Sequence, residues 1–470
     1  MERICDFEKY HISGSMKDLE NKKRIACVIP PFYRLIESKN NRIMPAMHYL
    51  AQVLYKRGHD VILINGDYSD DEYADRVSMA ENSWLFDVRI KNGHSSYDEI
   101  IKILDKFEPN FVCISAGDVL LPTVESGNAQ SCLYLAEMIK NHFAYSVKCI
   151  GYGHLLNHVG EEKKKVLDAY YIGEAEGDIL NVIEGGQRGK RPLNWTKSLD
   201  DLPFLSSEYI YFPTVPEDFD YIMSMRGCPY KCKFCLQPSL RNGYLSCMSP
   251  ERFVAEVICR IKTYNLKDFY FADMIFITQD EERNNRMLEL LEGVKEEFPD
   301  FTWRCESRVD VIQSKELLTR MKAAGCRHIK YGVEMLNQDM LRTMNKGINV
   351  QRVRQTFLNT KAVGISTTAY VLLGCPGFKD EDYREMYYEF EKLKADNYVV
   401  NISVPYVGTK LYEMIGDDLK RSNIYFEEEG LAHFDSKMKD YWGISEETIE
   451  LYRKLNYVKE DNVYRNYLNP

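Results

Sequence analysis

The feature that most limits the fold is a set of short, nearly unbroken apolar runs. RIACVI (24–29), DVILIN (60–65), NFVCIS (110–115) and VKCIGYG (147–153) are each long enough for one strand and lack a regular polar face. Strands of that kind have to be covered on both sides. The segment MPAMHYLAQVLYKRG places Met44, Met47, Leu50, Val53 and Leu54 on one helical face, and Gly58 closes it. Further helices are expected around 98–107 and 127–143. Buried strands alternating with helices predict an α/β fold with a parallel, doubly wound sheet. Such a sheet takes ligands beyond the carboxyl ends of its strands, where Pro30–Arg34, Ser115–Pro122 and Gly151–His154 fall.

The pattern lapses between about 185 and 215, in a stretch rich in Gly, Pro and charge that reads as a linker. It resumes with YIMSM (221–225), DFYFA (268–272), TWRCES (302–307), HIKYGV (328–333), STTAYVLL (366–373) and YVVNISV (398–404). Helical stretches near 250–264, 281–297, 315–324, 350–363 and 380–394 connect them. Six βα-like units suggest an incomplete barrel, whose functional loops lie at the strand carboxyl ends. The expected organisation is one domain over 1–195, the barrel over 196–412 and a small helical region over 413–470.

Lysine and arginine total 61 against 71 acidic residues, for a formal charge of -10. That balance disfavours a nucleic-acid binder relying on phosphate neutralisation, and points to a small-molecule or peptide partner. No apolar run approaches the roughly 20 residues of a membrane span. The opening MERICDFEKYHISGSMKDLENKKR lacks the apolar core of a secretory signal, so a cytoplasmic location is expected. There, the 13 cysteines should be reduced thiols or ligands.

Three of them lie together in MSMRGCPYKCKFCLQP (223–238): Cys228, Cys232 and Cys235. Thiolates in one short loop suit a soft metal. Structural zinc takes four protein ligands, and an iron–sulfur cubane normally takes four cysteines. Three leave one position open to a substrate or cofactor. Cys247 offers a fourth ligand that would close a zinc site or cluster, and coincidence among the 13 thiols is the other alternative.

RGCPYKCKFC closely resembles the cluster loop of the radical S-adenosylmethionine (SAM) superfamily, whose core is a partial barrel of six βα units. The resemblance implies that Cys228, Cys232 and Cys235 hold a [4Fe-4S] cluster whose fourth iron binds SAM, with Phe234 beside the third thiol. FYFADMIF (269–276) resembles the second strand and makes Asp273 a candidate near the SAM amino group. ESRVDVI (306–312) resembles the third-strand region with Arg308, and YGVEM (331–335) the fourth, with Glu334 toward the ribose. LLGCPG (372–377) resembles the fifth-strand loop near the adenine, through Leu372 and Gly374, and VPYVGTKLY (404–412) the sixth. Phe378 stands where many relatives carry Glu. For Asp273 and Arg308, half of a structural ion pair is the alternative reading.

The first domain resembles the Rossmann-like cobalamin-binding domain fused to one branch of that superfamily. The parallels are PP after the first strand, MPAMHYLAQVLYKRGHDVILIN, IGYGH, AYYIGEAEGDIL and LDDLPFL. None of the nine histidines lies in a D-x-H-x-x-G loop, so an unusual lower face is implied. Candidate contacts are Pro31, Tyr33, Arg34, Ser115, Gly151, Gly153, His154 and Glu174. A scaffold that has lost its corrinoid is the alternative.

The resemblance implies a methyltransferase acting on an unactivated carbon of a small-molecule or peptide substrate. It would work through a 5′-deoxyadenosyl radical and methylcobalamin, with an external electron donor such as flavodoxin or ferredoxin. A cyclase or ring-rearranging enzyme without methyl transfer is the alternative, and a sensor without turnover a further one. No Cys follows Cys375, which disfavours auxiliary clusters.

Overall fold

Apolar strands pair first with each other and then with the helices that cover them. Their arrangement is seen in a computed structural model, which describes residues 21–31, 43–66, 95–120, 127–211, 219–312, 314–421, 425–428, 431–434 and 438–455. The chain divides into two units, one built mainly from 7–218 and the other from 219–424 and 437–470.

In the first unit, β1 (Arg24–Ile29), β2 (Asp60–Asn65), β3 (Phe111–Ser115), β4 (Lys148–Tyr152), β5 (Ala169–Tyr171) and β6 (Gly189–Lys190) form one sheet in the order β2-β1-β3-β4-β5-β6. Every pairing is parallel, and Cys27 lies between Leu63 and Cys113. Each of β1, β3 and β4 is buried along nearly its whole length, as unbroken apolar runs require. The helices Pro45–Arg57, Ser95–Phe107 and Gly127–His142 intervene between strands. Pro45 opens the first of these, and Gly58, at φ 104, ends it by donating its N–H to the carbonyls of Leu54 and Tyr55. Val28, Ile64, Leu104, Ile114, Leu135, Ile139 and Leu156 belong to the core. The chain moves from β1 outward to β2, then returns to β3 on the other side of β1. The carboxyl ends of β1 and β3 therefore form the switch point where such sheets bind ligands. Strands β5 and β6 escaped the sequence reading because runs of three and two residues carry no periodicity.

In the second unit, β7 (Tyr221–Ile222), β10 (Asp268–Phe271), β11 (Thr302–Ser307), β12 (Cys326–Glu334), β13 (Ser366–Leu373) and β14 (Asn397–Ile402) form a parallel sheet in the order β14-β13-β12-β11-β10-β7. Helices Pro250–Tyr264, Glu281–Glu297, Lys315–Ala323, Val350–Ala362 and Asp380–Leu393 follow successive strands. Ser249, Asp280, Ser314 and Asn349 start the first four by accepting backbone N–H bonds. The expected strand YIMSM is broken: its first two residues join the main sheet, while β8 (Met225–Arg226) pairs antiparallel with β9 (Ser246–Cys247). The small helical region expected over 413–470 also contains an antiparallel pair, β15 (Tyr425–Glu428) and β16 (Leu431–Phe434), which groups with the first unit and not with this one.

The faces of this second sheet differ. Along β11, Trp303, Cys305 and Ser307 are buried while Thr302, Arg304 and Glu306 are half-buried. Trp303 stacks on Phe271 with ring centres 4.9 Å apart, next to Phe253 and Phe276. The opposite face carries Tyr270, Arg304, Glu306, His328, Lys330, Thr368 and Tyr370. Among the described residues no helix is long and apolar enough to cross a membrane.

Candidate functional site

The three clustered thiols follow directly from the end of β7 and β8. Gly227 enters the loop at φ 97, and a side chain there would put its Cβ 2.4 Å from the Tyr244 carbonyl oxygen. Only glycine fits both constraints. Within the loop, Cys235 N donates to the Cys232 carbonyl. A second segment clasps it on both sides of Cys232: Lys233 N donates to Met344 O at 2.9 Å, and Asn345 Nδ2 donates to Lys231 O at 2.8 Å. Lys233 O in turn accepts from Leu411 N at 2.9 Å.

Cys232 is buried, and Cys228 and Cys235 are half-buried. Burial pushes the Cys228 thiol up and the Cys235 thiol up to about 12, while the positive charge of Lys346 works the other way on both. Among the described residues no three His, Cys, Asp or Glu side chains converge on a single ion. A cubane asks for something else, one thiolate on each of three irons. The loop meets that requirement with soft donors, a fixed backbone and nearby cations. Cys247, on β9, pairs with Met225 of β8, and burial raises its thiol.

Two buried cations face the thiols. Arg308, just past β11, stacks its guanidinium 3.6 Å above the Tyr230 ring and brings Nη1 to 3.8 Å from Cys232 Sγ. Asp310 holds it at 2.8 Å and the Lys346 carbonyl at 2.7 Å, so Arg308 is both an ion-pair partner and a neighbour of the cluster loop. Lys346 Nζ lies 2.9 Å from Glu334 Oε1 and 5.8 Å from the Phe234 ring. Burial works against its charge, but Glu334 and the Cys232 thiol more than offset that and hold the ammonium above its ordinary value.

Glu334 ends β12 at φ 66, beyond a register shift at Gly332. A non-glycine residue in the left-handed region costs on the order of 1 kcal/mol or more, and such positions gather at functional sites. Asp273 is different. It is fully buried, accepting from Ser224 Oγ at 2.7 Å and from Met225 N at 2.5 Å. Its carboxylate braces the bend between β7 and β8 through these two hydrogen bonds, a role other than the ion pair weighed for it, and acts on the loop through the backbone. Leu372 is buried at the end of β13. At Gly374, φ 97, the space a side chain would take is filled by the Trp442 indole, 2.6 Å from an ideal Cβ. That side of the loop is therefore closed by protein.

The half-exposed Glu306 accepts hydrogen bonds from Tyr270 OH and, at 2.8 Å, from Tyr370 OH. Lys330 Nζ reaches Tyr270 OH at 3.4 Å and lies 4.5 Å from its ring centre. His328 sits between Ser366 Oγ (2.6 Å) and Thr368 Oγ1 (2.8 Å). A closed barrel fills this position with branched apolar side chains. Here it is an ionic, hydrogen-bonding surface.

In the first unit, the strand-end loops make a backbone floor. A Cβ on Gly153 would fall 2.1 Å from Ala116 O, so this loop and the one after β3 touch through their main chains. A Cβ on Gly117 would meet the buried His154 ring at 3.0 Å. Both glycines let the loops after β3 and β4 pack closely on one another beside the switch point. Ser115 is buried and donates to Met44 Sδ at 3.1 Å. The open side of Gly151 faces Leu156 and Leu167, which assigns that glycine to packing. Glu174 is buried and accepts the Thr196 N–H at 2.7 Å, anchoring the following segment. Pro31 lies at the end of β1; Tyr33 and Arg34 fall outside the described residues.

Sequence reasoning missed Lys346, Glu306 with its two tyrosines, and Trp442. The available signals were the turn MNKG, whose Asn345 and Gly347 both adopt positive φ, and polar residues alternating with apolar ones along β11 to β13.

Residues 222–388 match the Radical SAM superfamily, so the second unit carries a domain of that kind. An uncharacterized methyltransferase of Pyrococcus horikoshii is 25% identical over 413 residues, covering 83% of this chain and 82% of the relative. Among solved structures, the radical SAM methyltransferase TsrM of Kitasatospora setae, with cobalamin and a [4Fe-4S] cluster bound, superposes with a TM-score of 0.60 at 14% identity, over 85% of this chain and 78% of that one. The cobalamin-dependent radical SAM enzyme OxsB, with aqua-cobalamin and SAM bound, gives 0.60 at 14% identity, over 92% and 67%. At such identities the likeness is one of fold, and it spans both units.

Proposed function

We propose that this protein is a cobalamin-dependent radical SAM methyltransferase acting on an unactivated carbon of a polar small-molecule or peptide substrate. The observation that carries the reading is the three-thiol loop, held by backbone bonds at the strand carboxyl ends of a radical SAM domain. Cys228, Cys232 and Cys235 would hold the [4Fe-4S] cluster, with the remaining iron left for SAM. Glu334 would meet the ribose, Phe234 and Leu372 would line the site, Gly374 would shape the loop near the adenine, and Arg308 would keep the cluster loop in place. In the first unit, Pro31, Ser115, Gly153 and His154 would border the corrinoid. When bound, the cluster supplies one electron to SAM and the corrinoid carries a methyl group; the electron comes from a flavodoxin- or ferredoxin-type donor.

The polar face bearing Glu306, Tyr270, Tyr370 and Lys330 supports a substrate that forms hydrogen bonds. Two phenol donors orient the Glu306 carboxylate, which can still accept from a substrate N–H or O–H. The test is anaerobic purification after expression with cobalamin, followed by iron, sulfide and cobalt analysis and incubation with methyl-deuterated SAM. The expected result is about four irons and one cobalt per chain, with 5′-deoxyadenosine, S-adenosylhomocysteine and deuterium on the methylated product. Iron without cobalt would make the first unit a scaffold and overturn the proposal.

A further inference from the structure

We infer that Lys346 tunes the reduction potential of the metal cluster from a fixed position, with Glu334 as its counterweight. The inference rests on the proposed cluster at Cys228, Cys232 and Cys235.

Position comes first. Lys346 sits in the turn that clasps the thiol loop, with Met344 and Asn345 bonded on either side of Cys232 and its own carbonyl bonded to Arg308. Its backbone cannot drift without breaking those contacts. Its side chain is 7% exposed, so water screens it little. The ammonium occupies space that only a glycine leaves: an ideal Cβ on Gly332 would lie 2.9 Å from Nζ. Its charge acts on all three thiols, Cys228, Cys232 and Cys235.

The sign follows from charge counting. A cubane on three thiolates becomes more negative by one unit when it accepts an electron. A buried cation stabilises that reduced form more than the oxidised one and raises the midpoint potential. Glu334, 2.9 Å from Nζ, cancels part of the cation's field and lowers the midpoint. The two side chains should therefore act in opposite directions, which loosening of the loop would not produce. A ligand that draws Glu334 away from Lys346 would raise the potential as it binds, coupling cofactor seating to electron entry.

The test is a dithionite titration of the anaerobic full-length protein, followed by electron paramagnetic resonance, after iron and sulfide have been measured. Lys346→Gln should move the midpoint down, Glu334→Gln should move it up, and Lys346→Arg should leave it near the unsubstituted value. An unchanged midpoint in Lys346→Gln with full iron content would overturn the inference, as would a shift of both variants in one direction. Should Lys346→Gln fail to retain iron, an unchanged Glu334→Gln midpoint overturns it equally. If the unsubstituted protein holds no cluster, the proposed function itself falls, a result distinct from a cluster that is present but indifferent to Lys346.

Discussion

The two parallel sheets of this molecule are built by the same alternation of strand and helix, yet they present different parts of themselves. In the first, neighbouring residues such as Cys113 and Ile114 point to opposite faces and are both fully buried. Only the strand ends remain available, and its candidate ligand contacts are loops. In the second, neighbours part company: Cys305 is buried, while Glu306 on the other face is half-exposed and bonded to two tyrosines. A sheet covered on both sides offers an edge. A sheet with one polar face can hold chemistry along its strands as well as at their ends, and here Tyr270, His328, Lys330 and Thr368 of that face are buried around the half-exposed Glu306.

The largest break of this comparison would come from the thiol loop. Cys232→Ala should abolish cluster iron and all SAM cleavage, measured as 5′-deoxyadenosine, while the first unit keeps its fold by circular dichroism. Residual cleavage by an iron-free variant would remove the second unit from the chemistry.

Next are paired substitutions across each sheet. Cys113→Asp and Ile114→Asp should each cost more than about 3 kcal/mol in denaturant unfolding, because either face buries the charge. In the second sheet Cys305→Asp should do the same, whereas Glu306→Gln should stay within about 0.5 kcal/mol. Equal losses at Cys305 and Glu306 would erase the distinction.

Titration gives a finer test. Burial raises the Asp273 carboxyl to about 6, above its ordinary value near 4, so the folded state binds the extra proton and stability falls as pH rises through that window. Burial lowers His328 to about 4, below its ordinary value near 6.5, so the unfolded state binds the extra proton and stability rises over nearly the same window. The slopes oppose each other, each on the order of 2–3 kcal/mol in total. Unfolding at pH 4.5 and 6.5 should show Asp273→Asn becoming relatively more stable at the higher pH and His328→Gln relatively less. Identical behaviour would refute one assignment.

A comparably small effect is expected at Tyr370→Phe, which removes one bond to Glu306 and should cost about 0.5 kcal/mol because the site is half-exposed.

Much of this was legible in the sequence for a physical reason. RIACVI and STTAYVLL declare themselves because burial demands apolar runs, and the thiol loop because iron demands sulfur at short spacing. Lys346 did not, since a lysine in a turn looks solvent-facing until the fold places Gly332 beneath it. Asp273 was legible as important but not as a backbone brace, because its partners Ser224 and Met225 lie some fifty residues away. Glu306 was hidden inside a segment taken as a strand, where its neighbours across β12 and β13 decide its meaning.

The contact between Trp442 and Gly374 bears on how the protein comes into being. The indole fills the hollow beside the fifth-strand loop and donates to Ser403 O at 2.8 Å, while Ser445 and Tyr452 fasten the same segment to Asp380 and Tyr383. During synthesis the strands emerge in order and can pair as they appear. The loop at Gly374 has to wait for a partner made later, when the segment carrying Trp442 leaves the ribosome. It is thus among the last parts of the unit to settle, and a chain cut short before Trp442 would carry a complete set of thiols beside an unfinished wall.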